Sequence, residues 1–233
     1  MRLMARLCFD YGHGGTDPGA CFNGRRECDD VLNLGKQVAA EIRKYGVTVD
    51  ETRTSDITVS LEDRSNFENR NTYDYFISFH RNAFVPEQAK GAETYTYINA
   101  SEKTKNLAQR IQTSLVALGF INRGVKEANY HVLRETRASA VLIEIGFIDN
   151  TSDNNLYDSK RNEIIKALSK AILAQLGINY IEASEPTQTP TGETLYRVMA
   201  GSYSVRDNAE KQVQQLKEAG FDAAIMIKNN CQK

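Results

Sequence analysis

Short apolar runs alternate along this chain with amphipathic stretches that each stop at a glycine, and this alternation constrains the fold more than any other feature. Val31, Leu34, Val38, Ile42 and Tyr45 lie at helical spacing before Gly46. Leu107, Ile111, Leu115 and Leu118 do the same before Gly119, and a third stretch, Glu163 to Leu176, ends at Gly177. Glycine closes a helix in the left-handed conformation without a Cβ penalty. Leu3 to Asp10, Val47 to Thr52, Tyr73 to His80, Thr94 to Ile98 and Ala140 to Ile148 read as strands. Ser60, with Asp63 three residues later, marks the start of one more helix, Leu61 to Arg70. The pattern predicts an α/β domain with a twisted mixed, mostly parallel sheet flanked by helices on both faces. Runs as apolar as Tyr75 to Phe79 suit strands buried on both sides.

The periodicity breaks between Glu182 and Gly192, where two of the four prolines fall and no large apolar residue occurs. That is linker composition. The chain therefore divides into a large domain at 1–180, a linker at 181–193 and a small module at 194–233. In the module, a strand at Leu195 to Ala200, a helix at Ala209 to Ala219 and a strand at Ala223 to Ile227 make one β-α-β unit, near the lower size limit for a self-sufficient core.

Lysine and arginine number 29 against 30 acidic residues, so no basic field argues for a nucleic acid or membrane partner. No apolar run approaches the roughly 20 residues that span a bilayer. The start, Met1 to Asp10, lacks the apolar core of a signal peptide. The expectation is synthesis in the cytoplasm, with any extracellular target reached by lysis or another export route. Cys8, Cys21, Cys28 and Cys231 form no CxxC pair and read as free thiols; a Cys21–Cys28 bridge is disfavoured by that cytoplasmic start.

Four residues stand out chemically, each with an ordinary competing explanation. Glu144 lies between Val141-Leu142-Ile143 and Ile145-Gly146-Phe147. Buried, it needs a cation, a metal or a proton; on an edge strand it would simply face water. His80 closes the apolar run Tyr75 to Phe79, at a strand end where α/β sheets collect ligands, although a histidine there also serves as a hydrogen-bonded loop residue. His13 sits in the glycine-rich turn Gly12-His13-Gly14-Gly15 and has the same alternative. Glu27 reads alone as a solvated helix-start acid. Together they make sense as a metal hydrolase: two histidines and a glutamate are an established ligand set for catalytic zinc, and a separate carboxylate can move the proton.

The motifs containing these residues resemble the zinc-dependent N-acetylmuramoyl-L-alanine amidases of the amidase-3 family. Asp10-Tyr11-Gly12-His13-Gly14-Gly15 is similar to the family's opening motif, Gly24-Arg25-Arg26-Glu27 to its second, and Ser78-Phe79-His80-Arg81-Asn82 to its third. Thr52 to Asp56, Ser60 to Arg64, Arg123-Gly124-Val125-Lys126 and Val132-Leu133-Arg134 also match, and the likeness spans roughly residues 3 to 178. It implies that His13, Glu27 and His80 bind Zn2+ and that Glu144, in Ile143-Glu144-Ile145-Gly146-Phe147, is the catalytic acid/base. Tyr11 replaces a usual proline and Cys28 a usual lysine, which puts a soft donor beside Glu27. His131 is left over and is assigned to packing or to the cleft lining.

The tail from Leu195 to Ala223 resembles half of a SPOR-type peptidoglycan-binding repeat. A single half leaves a sheet edge open, which predicts a homodimer through the tails. The resemblances imply a peptidoglycan hydrolase of the endolysin or autolysin kind, cleaving between N-acetylmuramic acid and L-alanine of the stem peptide. Two alternatives are a non-catalytic wall-binding protein and a zinc peptidase acting on stem peptide bonds.

Overall fold

The computed structural model describes residues 5–181, 201, 205–221, 223 and 225, and the chain divides into two units, Met1–Glu182 and Ala183–Lys233. In the first unit, β1 (Arg6–Tyr11) leads through a short hairpin of β2 (Cys21–Phe22) and β3 (Arg25–Arg26) into α1 (Glu27–Arg43). Then come β4 (Thr48–Glu51), α2 (Leu61–Asn69), β5 (Tyr75–Asn82), β6 (Ala92–Thr96) and α3 (Glu102–Ala117). β7 (Asn122–Glu127), α4 (His131–Arg134), β8 (Ser139–Phe147), α5 (Thr151–Ser159) and α6 (Arg161–Gln175) complete it.

Six strands form one sheet in the order β4-β1-β5-β8-β6-β7. Every pairing is parallel except β6 with β8, so the sheet is mixed but mostly parallel, as expected. Strand alternation sends side chains into two cores. Leu7, Phe9 and Tyr11 of β1, Ile77 and Phe79 of β5, and Val141 and Ile143 of β8 pack with the apolar faces of α1, α3 and α6. Cys8, Phe76, Ala140 and Leu142 point the other way, into a smaller core with Val132 and Leu133 of α4. Helices therefore cover both faces. The Ser60 cap is real: its hydroxyl accepts from Asp63 N at 3.0 Å.

Three differences from the sequence reading have physical causes. β7 was not expected because none of its residues is buried; it is a polar edge strand with no apolar alternation. α5 buries only Asp153 and Tyr157, too little for a helical stripe to be visible. α1 begins at Glu27, four residues before its first large apolar residue, because its opening turn is made of Glu27, Cys28, Asp29 and Asp30. The strand expected at Thr94 to Ile98 is β6, displaced by two residues.

In the second unit, α7 (Arg206–Glu218) starts three residues before the expected helix. All of the linker after Ile181, the strand at Leu195 to Ala200, most of the strand at Ala223 to Ile227, and Cys231 lie outside the described residues. Among the described residues, no helix is long and apolar enough to cross a membrane. Cys8, Cys21 and Cys28 are free thiols.

Candidate active site

The C-terminal ends of β1 and β5 lie side by side, with Tyr11 in register with Phe79, and the loop leaving β1 crosses that edge. Gly12 N donates to Phe79 O at 3.1 Å. His13 follows at φ 61°, a left-handed conformation that costs a non-glycine residue of order 1–3 kcal/mol. Two buried arginines hold the loop against that strain. Arg53 donates through Nε to Tyr11 O and through Nη2 to Gly12 O and Cys28 O, all at 2.8–2.9 Å. Arg64 donates through Nη1 to Asp10 Oδ1 and Tyr11 O and through Nη2 to His13 O, each at 2.7 Å. Asp10 also accepts from Thr52 Oγ1 at 2.6 Å and Ser78 Oγ at 2.7 Å. Burial pushes the Asp10 carboxyl up, but the Arg64 charge and the two hydroxyls outweigh it and hold it below the usual range.

This scaffold brings His13, Glu27 and His80 together. One ligand-type atom from each lies within 4.8 Å of the others. His13 Nε2 is 3.2 Å from Glu27 Oε2, and His80 Nδ1 is 2.9 Å from Glu27 Oε1. Tetrahedral donors about 2.0–2.1 Å from a shared ion stand about 3.3 Å apart, so the trio fits one divalent metal ion. The other nitrogen of His13, Nδ1, meets Asp17 Oδ2 at 2.7 Å, the outer carboxylate that fixes a ligating imidazole's tautomer. Glu27 is 3% exposed, so it begins its helix as expected but is not a solvated acid. Its oxygens also accept from Ala20 N and Arg81 N, both at 3.0 Å. Although burial favours protonation, its histidine partners hold Glu27 well below the carboxylate range. Burial lowers His13 too, yet the hydrogen bonds and charges of Glu27 and Asp17 raise it to about 8.

The glycines make room for the trio itself. A Cβ on Gly12 would sit 2.2 Å from His80 Cε1. One on Gly19, at φ +67°, would lie 2.7 Å from both Glu27 Oε2 and His13 Cδ2.

Glu144 is not on an edge. β8 lies between β5 and β6, and Glu144 pairs in register with His80 on one side and Glu93 on the other. Its Oε2 is buried and has no hydrogen-bond partner. Burial, then the charges of Glu27 and Glu93, raise its pKa well above the ordinary value, against a smaller lowering by Arg81. The result is a carboxyl oxygen one strand from the trio with no protein partner, in surroundings that favour its protonated form.

The sequence reading missed several supporting residues. Asp17, four residues after His13, carried a signal in that spacing. Arg81 carried only its place in the third motif: it is a buried cation held by Asp30 Oδ2 at 2.6 Å and Asn154 Oδ1 at 2.8 Å, over the ring of Tyr157 at 4.2 Å. Glu93 is silent in the sequence. His131 lies outside the trio, with Nε2 3.1 Å from Ser65 Oγ. Cys28 Sγ contacts Arg26 Nη2 at 2.8 Å and is not among the grouped ligand atoms. A surface cavity of about 630 Å³ between α3 and α6 contains none of these residues.

Comparison with known proteins bears on this arrangement. A family model described as N-acetylmuramoyl-L-alanine amidase matches residues 7–174, and a SPOR domain model matches residues 166–227, a span that begins inside α6. The sporulation-specific N-acetylmuramoyl-L-alanine amidase of Bacillus subtilis is 34% identical over 97% of this chain and 86% of its own length. The N-acetylmuramoyl-L-alanine amidase CwlM of Bacillus licheniformis is 34% identical over 97% of this chain and 87% of its own. The crystal structure of N-acetylmuramoyl-L-alanine amidase from Clostridium difficile 630 superposes with a TM-score of 0.71 at 31% identity, over 75% of this chain and 97% of that one.

Proposed function

Because the chain belongs to the N-acetylmuramoyl-L-alanine amidase family and is a peptidoglycan hydrolase, we propose that it cleaves the amide between N-acetylmuramic acid and the first L-alanine of the stem peptide, with zinc held by His13, Glu27 and His80. The donor set of two imidazole nitrogens and one carboxylate oxygen supports that metal. Zinc in the trio would act as a Lewis acid toward water and the amide carbonyl. Glu144 would take the proton from the attacking water at Oε2 and deliver it to the departing alanine nitrogen. Its raised pKa suits both halves of that transfer. Asp17 and Arg81 orient the trio, through His13 Nδ1 and Glu27 Oε1.

The observation that carries this reading is the partnerless Glu144 Oε2 beside the trio. Its test is mass spectrometry of fragments released from purified walls. An amidase liberates peptides beginning at free L-alanine, and a chelator should abolish the release until zinc is restored. Cuts inside the stem would make the protein a peptidase; wall binding without release would make it a binding protein.

The tail module is proposed to hold the enzyme on the wall and to pair with a second copy. Among the described residues none of α7 is buried, and Val213 and Leu216 are only half-covered. Light scattering on the full chain and on a truncation before Gly192 tests this, since a monomer in both would refute pairing.

A further inference from the structure

Beside Glu144, strands β6 and β7 wall a cavity of about 570 Å³ whose charge balance is uneven. Lys90, Arg123 and Lys126 line it against a single carboxylate, Glu93. Glu93 is itself saturated. Its Oε1 accepts from Asn82 Nδ2 and Tyr95 OH, and its Oε2 from Arg123 Nε and Lys126 Nζ. Two cations thus share one buried anion and the third has none, leaving the cavity positive.

Arg123 is presented in a particular way. It binds Glu93 through Nε, while Nη1 and Nη2 meet no described residue, and its side chain is 35% exposed. Its guanidinium lies 4.9 Å from the centre of the Phe147 ring, which steadies the plane of the fork. A steadied guanidinium edge with two free donors and an ammonium close by suits a carboxylate.

The cavity adjoins the reaction centre. Glu93 pairs with Glu144 across β6 and β8, and Asn82, which lines the cavity, follows His80 by two residues on β5. Adjacent strands are about 4.8 Å apart, comparable to the reach of one extended residue at about 3.5 Å plus a side-chain carboxyl. A group bound there lies about one residue beyond the amide being cut. The glycan next to that amide carries no charge once its lactyl carboxyl is amidated. The stem peptide does: its second residue, a glutamate joined through its γ-carboxyl, leaves an α-carboxylate free unless the wall amidates it.

We propose that this cavity is a subsite for that free α-carboxylate, bound by Arg123 with Lys126 and Lys90, so that the enzyme discriminates against amidated stems. The inference rests on the amidase reading. Two muramyl dipeptides with the γ-carboxyl capped as its N-methylamide, identical except for carboxylate or carboxamide at the α-position, would be offered to the full chain. The expected preference in kcat/KM is tenfold or more for the carboxylate, carried mainly by KM. Arg123→Gln should collapse the ratio toward one. Lys90→Gln, at an exposed side chain that does not hold Glu93, should reduce it two- to threefold.

Binding is read separately, by calorimetry of the released pair, L-alanyl-D-glutamate and L-alanyl-D-isoglutamine with the same γ-cap, into full-length Glu144→Gln. The carboxylate form should bind more tightly, and the difference should shrink with salt. Equal kcat/KM and equal binding for the two forms would overturn the subsite, as would an unchanged ratio in Arg123→Gln with a native melting temperature. If neither muramyl dipeptide is cleaved, the amidase reading fails, and the calorimetric comparison still decides the subsite.

Discussion

Replacing Arg64 by methionine tests whether the buried arginines hold the His13 loop. Arg64 and Asp10 side chains are 4% and 1% exposed, so solvent screens their 2.7 Å contact very little. Methionine matches the length of the stem but abandons four acceptors: Asp10 Oδ1, Tyr11 O, His13 O and Val59 O. Asp10 keeps Thr52 and Ser78 as donors but loses its counter-charge. Breaking a buried ion pair from one side costs about 3–5 kcal/mol. At about 2–4 °C per kcal/mol for a domain of this size, the melting temperature should fall by about 6–20 °C. Calorimetric melts of metal-free protein would measure it. Adding Asp10→Asn to the variant removes the stranded charge and should recover about 1–3 kcal/mol. Because Arg64 Nη2 also fixes the His13 carbonyl, metal affinity should drop about 10–100-fold. A melting temperature within 2 °C of wild type, with metal affinity unchanged, would refute the claim that Arg64 supports the site.

Other consequences can be checked as directly. Glu144→Gln should leave metal bound and lower turnover on walls by about 10²–10⁴-fold; because it removes a buried, partnerless ionisable oxygen, the metal-free variant should melt no lower than wild type. Normal wall digestion by this variant would sink the acid/base assignment. Gly12→Ala places a Cβ 2.2 Å from His80 Cε1, so the ring must move, and metal content after dialysis should fall; full retention would contradict the packing. The Asp10 carboxyl is depressed in the folded state, so its stabilisation is complete above its unfolded pKa of about 3.9 and lost as pH falls through the lower folded value. Wild type should therefore lose stability below pH ~4 more steeply than Asp10→Asn, whereas parallel acid melts would show that Asp10 contributes nothing there.

Much of the fold was legible because it depends on local periodicity. Val31, Leu34, Val38 and Ile42 repeat at helical spacing, and all four are buried. What escaped notice was held by polar contacts between distant residues. β7 has no fully buried residue, and α5 rests on Asp153, whose Oδ2 accepts from Gly91 N and Phe147 N at 2.7 and 2.8 Å. The four chemical residues were visible as motifs, but periodicity could not say whether Glu144 faced solvent. Only the order of the sheet, with β5 on one side of β8 and the reversed β6 on the other, takes it off an edge. The glycines at 12 and 19 are likewise explained only by the folded site, where His80 fills the space at one and Glu27 with His13 the space at the other.

The pairing of β5 with β8 has a consequence for how the protein comes into being. His13, Glu27 and His80 are all translated before residue 81, but Glu144 reaches His80 only when β8 docks across the centre of the sheet. Closing a loop that long is entropically slow compared with forming the helices on either side. On the proposed reading, the three residues that would hold the metal and the carboxylate that would move the proton therefore join the chain at different moments of its synthesis. A ribosome that has passed residue 80 has made all three proposed ligands, and Glu144, the proposed acid/base, follows more than sixty residues later.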